Sequence, residues 1–70
     1  MKQTLYFADT EEYEIVSEEC SSLDSAYESM EEAYEEQLEF YDSSVIDNGI
    51  EDEKAFIELD DGRRLFWNIK

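Results

Sequence analysis

Seventy residues carry 21 acids against five bases, a net charge of −16, with 41% hydrophobic residues and ten aromatics. A chain this short buries only about 60% of its unfolded surface, so one small domain over residues 1–70 with a marginal core is expected. The apolar content excludes a disordered acidic tail, and the charge argues against direct contact with nucleic acid or anionic lipid.

Residues 2–8 (KQTLYFA) are rich in β-formers, with Leu5 and Phe7 on one face and Thr4 and Tyr6 on the other. A turn at residues 9–12 and a second alternating run at residues 13–16, with Tyr13 and Ile15 sharing a face, predict a hairpin. A helical start at Glu11 is the competing reading. Residues 17–21 read as a polar connector carrying Glu18 and Glu19. Cys20 stands alone, so it can form no intrachain disulfide and is expected as a half-buried small hydrophobe.

Residues 22–42 (SLDSAYESMEEAYEEQLEFYD) have the helical period. Leu23, Tyr27, Met30, Tyr34, Leu38 and Tyr41 form one stripe, flanked by Ala26, Ala33 and Phe40. Asp24, Glu28, Glu31, Glu32, Glu35, Glu36, Glu39 and Asp42 fall on the opposite side. Ser22 is placed to cap the helix, with Asp24 suited to its positive end. The polar face is unusual, because its charged neighbours at i,i+3 and i,i+4 are other acids, as in 28/32, 31/35, 32/36 and 35/39. Each such pair costs roughly 0.2–0.5 kcal/mol, where a Glu–Lys pair would stabilise by as much. No Lys or Arg occurs in residues 3–53, a span that holds every acid except Glu58, Asp60 and Asp61. A sequence that accepts this repulsion has a use for the charge; solubility and the acidic bias of a halophilic host are the competing explanations.

After the helix, turn formers at Asp42-Ser43-Ser44 and Asp47-Asn48-Gly49 bracket the apolar pair Val45-Ile46, and Glu51-Asp52-Glu53 follows. The last segment is the clearest hairpin: KAFIEL, then DDG with Gly62 in the left-handed position after a type I turn, then RRLFWNI. That register sets Leu59 opposite Arg63, Ile57 opposite Leu65 and Ala55 opposite Trp67 on one face. Phe56 then faces Phe66, and Glu58 faces Arg64, on the other. The helix stripe is expected on the Ile57/Leu65/Trp67 face. The fold expected is α+β, one amphipathic acidic helix packed on an antiparallel sheet in the order ββαββ.

Chemistry is sparse. With no His, the usual general base and the Ser–His and Cys–His pairings are absent, so no enzyme and no cofactor are expected. One Cys without His cannot ligate a transition metal. Residues 42–53 have the length and the acidic ends of an EF-hand loop, but Ile46 occupies a ligand position and glycine stands eighth instead of sixth, so no metal site is expected. No apolar run exceeds four residues, which leaves neither a membrane span nor a signal-peptide core, so a cytoplasmic chain is expected.

The acidic helix therefore stands out as a recognition surface. Its eight carboxylates span about 27 Å, one charge per about 3.4 Å, the linear charge density of one strand of B-DNA. In charge, size and α+β scaffold the whole chain resembles the small acidic DNA-mimic inhibitors of phages and mobile elements. That class includes anti-restriction proteins, uracil-DNA glycosylase inhibitors and several anti-CRISPR proteins. The resemblance implies an inhibitor of a host defence nuclease complex, with an anti-CRISPR that blocks target-DNA or PAM recognition named first. It implies a basic nucleic-acid-binding partner, such as a Cas effector subunit or a restriction or repair enzyme, in the host cytoplasm. The inhibitor itself would be a monomer or weak dimer. Asp24, Glu28, Glu31, Glu32, Glu35, Glu36, Glu39 and Asp42 would contact that partner as phosphate surrogates, with Tyr6, Phe40 or Phe56 as rim anchors. The alternative is an acidic immunity protein or antitoxin neutralising a basic nuclease toxin.

Overall fold

The computed structural model describes residues 2–10 and 14–70, and the side chain of Glu14 is also outside the description. The elements are β1 (Gln3–Asp9), β2 (Glu14–Cys20), α1 (Leu23–Phe40), a 3₁₀ turn (Asp42–Ser44), β3 (Val45–Ile50), β4 (Lys54–Leu59) and β5 (Arg64–Ile69). The strands form one antiparallel sheet in the order β2-β1-β5-β4-β3. The α+β class and the helix on the sheet are as expected, but the order is ββαβββ, not ββαββ.

The extra strand is β3, and a bulge explains why alternation hides it. Val45 pairs with Leu59 and Asp47 with Glu58, so Ile46 is the unpaired extra residue. Val45 and Ile50 both pack on the core, although a spacing of five would send them to opposite faces of a regular strand. The bulge corrects the phase. It also turns Asn48 to the helix side, where its Oδ1 accepts a hydrogen bond from the Tyr34 hydroxyl at 2.6 Å. Residues 42–53 are thus a turn, a strand and a second turn, not a loop of the EF-hand kind. The β3–β4 turn closes with Glu51 donating to the Lys54 carbonyl at 2.7 Å.

A second correction concerns residues 17–21. Instead of a connector, β2 continues to Cys20, with Leu5 opposite Glu18 and Gln3 opposite Cys20. Cys20 is buried, not half-buried. Of the turn expected at residues 9–12, Asp9 belongs to β1 and Thr10 is a turn residue, while residues 11–13, and with them the facing of Tyr13, lie outside the described residues. The β4–β5 hairpin has the expected register in every pair, from Ala55–Trp67 to Glu58–Arg64. Gly62 has φ 91°, and its N–H donates to the Leu59 carbonyl at 3.1 Å while Leu59 donates to the Arg63 carbonyl at 2.8 Å. A side chain at that φ would be strained, which is why the turn carries glycine.

The helix starts as its sequence dictates, with the Ser25 N–H donating to Ser22 Oγ at 3.1 Å. It carries the chain from the β2 edge of the sheet to the β3 edge. Its inner face is Ala26, Met30 and Tyr34, all buried, with Tyr27, Ala33 and Leu38 half-buried beside them. The stripe is therefore turned slightly from the one expected: Leu23 is 42% exposed and Phe40 77%. Below it lie Leu5, Ala55, Ile57, Leu59, Leu65, Trp67 and Ile69. Trp67 is at the centre, 2% exposed, with its ring centroid 5.1 Å from Phe7 and 6.1 Å from Tyr34. The expected packing on the Ile57/Leu65/Trp67 face is thus observed.

Candidate functional site

Asp24, Glu28, Glu31, Glu32, Glu35, Glu36 and Glu39 lie on α1, and all seven side chains are exposed. The same 3.6-residue period that buries Ala26, Met30 and Tyr34 turns these seven away from the sheet. Asp42, expected as the eighth member of the helical row, is exposed but lies past the helix end. Tyr41 caps α1 by donating to the Gln37 carbonyl at 3.0 Å, and Asp42 opens the 3₁₀ turn. The structure therefore brings seven of the expected site residues onto one rigid rod and sets the eighth at its tip.

The electrostatics of this rod are one-sided. Asp24 suits the positive helix N-terminus, but Glu35, Glu36 and Glu39 crowd the negative end, and the last turn has no base. Among the described residues, three of the five bases pair away from the helix: Lys54 with Glu51 at 3.5 Å, Arg64 with Glu58 at 3.4 Å, and Arg63 with Asp9. Packing of the inner face, not surface charge, must hold the helix. Two tyrosines register the negative field. Burial, then hydrogen bonding and charge from Glu31, then the charges of Asp52 and Glu35, push the Tyr27 hydroxyl above its ordinary value. The Tyr34 hydroxyl is likewise raised, by burial first and then Glu35. The influence of Asp52 on Tyr27 shows that the β3–β4 turn adds a carboxylate to the flank of the row.

The three aromatics expected at the rim part company. Phe40 sits at the C-terminal end of the acidic row, its ring edge-on to Tyr41 with centroids 4.8 Å apart. Tyr6 and Phe56, each 36% exposed, project from the opposite side of the sheet and cannot share an interface with the helix acids. Of the acids outside the helix, Glu18 alternates with buried Cys20 and so shares the helix side at the sheet edge, whereas Asp47 and Glu58 pair on the open side.

Sequence reasoning missed the one buried carboxylate among the described residues. Asp9, 5% exposed, accepts from Arg63 Nε at 3.0 and 3.2 Å and is also bonded to the Arg63 terminal nitrogen. The Arg63 guanidinium lies over the Tyr41 ring, 5.3 Å from its centroid. This cluster ties the end of β1, the β4–β5 turn and the helix exit together. A signal existed: Asp9 continues the Leu5–Phe7 face, and Arg63 opposite Leu59 falls on the same side.

No helix is long and apolar enough to cross a membrane among the described residues. No protein-family model matches the chain, and no curated protein or solved structure shows significant similarity to it. A functional reading therefore stands on the chain's own geometry.

Proposed function

We propose that the chain is a DNA-mimic inhibitor of the phage or mobile-element kind, acting in the host cytoplasm on a defence nuclease complex. It occupies the partner's basic nucleic-acid-binding surface; an anti-CRISPR that blocks target-DNA or PAM recognition is the form named first. One observation carries this reading: seven exposed carboxylates on a single 18-residue helix, with no base in its last turn and none within residues 3–53. Their spacing of roughly 3–4 Å of axis per charge matches a strand of B-DNA and offers Lys and Arg side chains a comparable series of anions. Inhibition needs no bond-making step, because a rigid polyanion held in the groove excludes the substrate. Phe40 at the end of the row supplies an aromatic anchor beside the charges.

The test is affinity capture from a host lysate at low salt, with mass spectrometry of retained proteins and elution by duplex DNA. A nucleic-acid-binding protein that duplex DNA displaces competitively is the expected result. Capture of proteins that duplex DNA does not displace, or of no nucleic-acid-binding protein, overturns the reading.

A further inference from the structure

Among the described residues nothing packs on the sheet face turned away from α1, and the strand registers define what it presents. One row runs Ile15–Ala8–Phe66–Phe56–Gly49 and crosses all five strands. Beside it runs Ser17–Tyr6–Asn68–Lys54. Ile15 is 70% exposed, and the Phe56 ring lies against Gly49, where an added Cβ would meet it at 3.0 Å. Gly49 thus leaves room for the ring to lie flat, which smooths the face. Among the described residues its charges nearly cancel: Lys54, Arg64 and Lys70 on one hand, Glu19, Asp47, Glu51 and Glu58 on the other, with Lys54–Glu51 and Arg64–Glu58 already paired.

We propose that this face docks on the same face of a second copy of the chain, forming a two-fold dimer whose acidic helices lie on the two outer surfaces. The placement of charge selects this face. A chain of net charge −16 cannot approach a copy of itself through the helix side, where acids would meet acids. The open face carries an apolar row between charges that nearly cancel, and a two-fold axis lets Arg64 of each copy reach Glu58 of the other. Packed sheets lie about 10 Å apart and each helix layer adds roughly 10 Å, so the two acidic surfaces stand on the order of 30–40 Å apart. That is several Debye lengths at physiological salt, so their repulsion is largely screened. Five strands about 4.8 Å apart and six residues long give a flat face of roughly 24 by 20 Å. Two such faces bury on the order of 1,000 Å², at the lower end of specific interfaces, so the dimer is weak and reversible. The inference is independent of what the helix binds.

Sedimentation of the full chain from about 5 µM to about 1 mM, at 0.15 and 0.5 M NaCl, tests it. The expected result is a monomer–dimer equilibrium that tightens with salt. Phe56→Thr and Ile15→Thr, which keep charge and β propensity, should each weaken it at least tenfold while circular dichroism shows a folded chain. Because Phe56 lies on an interior strand, its substitution separates face packing from pairing along the β2 edge. A monomer at 1 mM in 0.5 M NaCl overturns the proposal, whatever the variants do. So does a dimer that survives Phe56→Thr but is lost when Ser17→Pro blocks the β2 edge.

Discussion

At the scale of single residues, Tyr34 and Trp67 join the helix to the sheet. The Tyr34 hydroxyl donates to Asn48 across the α1–β3 gap, and its raised pKa makes that link sensitive to base. A raised value favours the protonated ring in the folded chain. The stabilisation is therefore complete below about pH 10, where the unfolded side chain is also protonated, and is lost as pH rises through the folded-state value. The melting temperature should fall above about pH 10, and Tyr34→Phe should fall less steeply over that range. At pH 7 the same substitution should cost about 1 kcal/mol, the worth of one hydrogen bond whose partner can be rehydrated. Equal slopes for the two proteins in a pH series of thermal melts would count against the Asn48 link. Trp67→Ala removes a ring that touches both Phe7 and Tyr34 and should cost about 3–5 kcal/mol. In a domain of this size that leaves a large unfolded fraction at 25 °C, visible by circular dichroism.

At the scale of elements, α1 separates charge from stability. Its inner face packs and its outer face repels, so Glu28→Gln, Glu32→Gln, Glu35→Gln and Glu39→Gln together should hold or raise the melting temperature. The same four changes should abolish binding to a captured partner; affinity within a few-fold of the parent would remove the phosphate-surrogate role. The helix and its acids were legible in the sequence because an exposed helical face follows from a 3.6-residue period alone. The β4–β5 hairpin was legible because Asp60-Asp61-Gly62 admits one register that makes both faces chemically consistent. β3 was not, because Asp47-Asn48-Gly49 has turn chemistry and the Ile46 bulge breaks the two-residue period. The second half of β2 was hidden by adjacent Glu18 and Glu19, which an edge strand tolerates since one of them always faces solvent. Asp9 and Arg63 stand 54 residues apart; alternation puts each on the core side, but nothing pairs them until β1 lies beside β5.

At the scale of the whole molecule, repulsion among 21 acids opposes folding, and under the proposed function attraction to a basic partner would favour binding; salt acts on both. Screening relieves the first, so the melting temperature of the free chain should rise with ionic strength. Screening weakens the second, so the association rate with a captured partner should fall steeply over the same range. Thermal melts and stopped-flow or surface-binding kinetics in the same salt series check both. Stability that rises while the association rate stays flat would assign the charge to the chain's own solubility.

The α1 acids have no base among them, whereas on the open face Lys54, Arg64 and Lys70 nearly offset Glu19, Asp47, Glu51 and Glu58. The monomer is therefore a strong electric dipole whose axis runs through the sheet. In the field of a basic groove it experiences a torque before contact, and it rotates to arrive helix first. Random tumbling would waste most collisions of a molecule with one productive side; under the proposed function this one would be aligned while still diffusing.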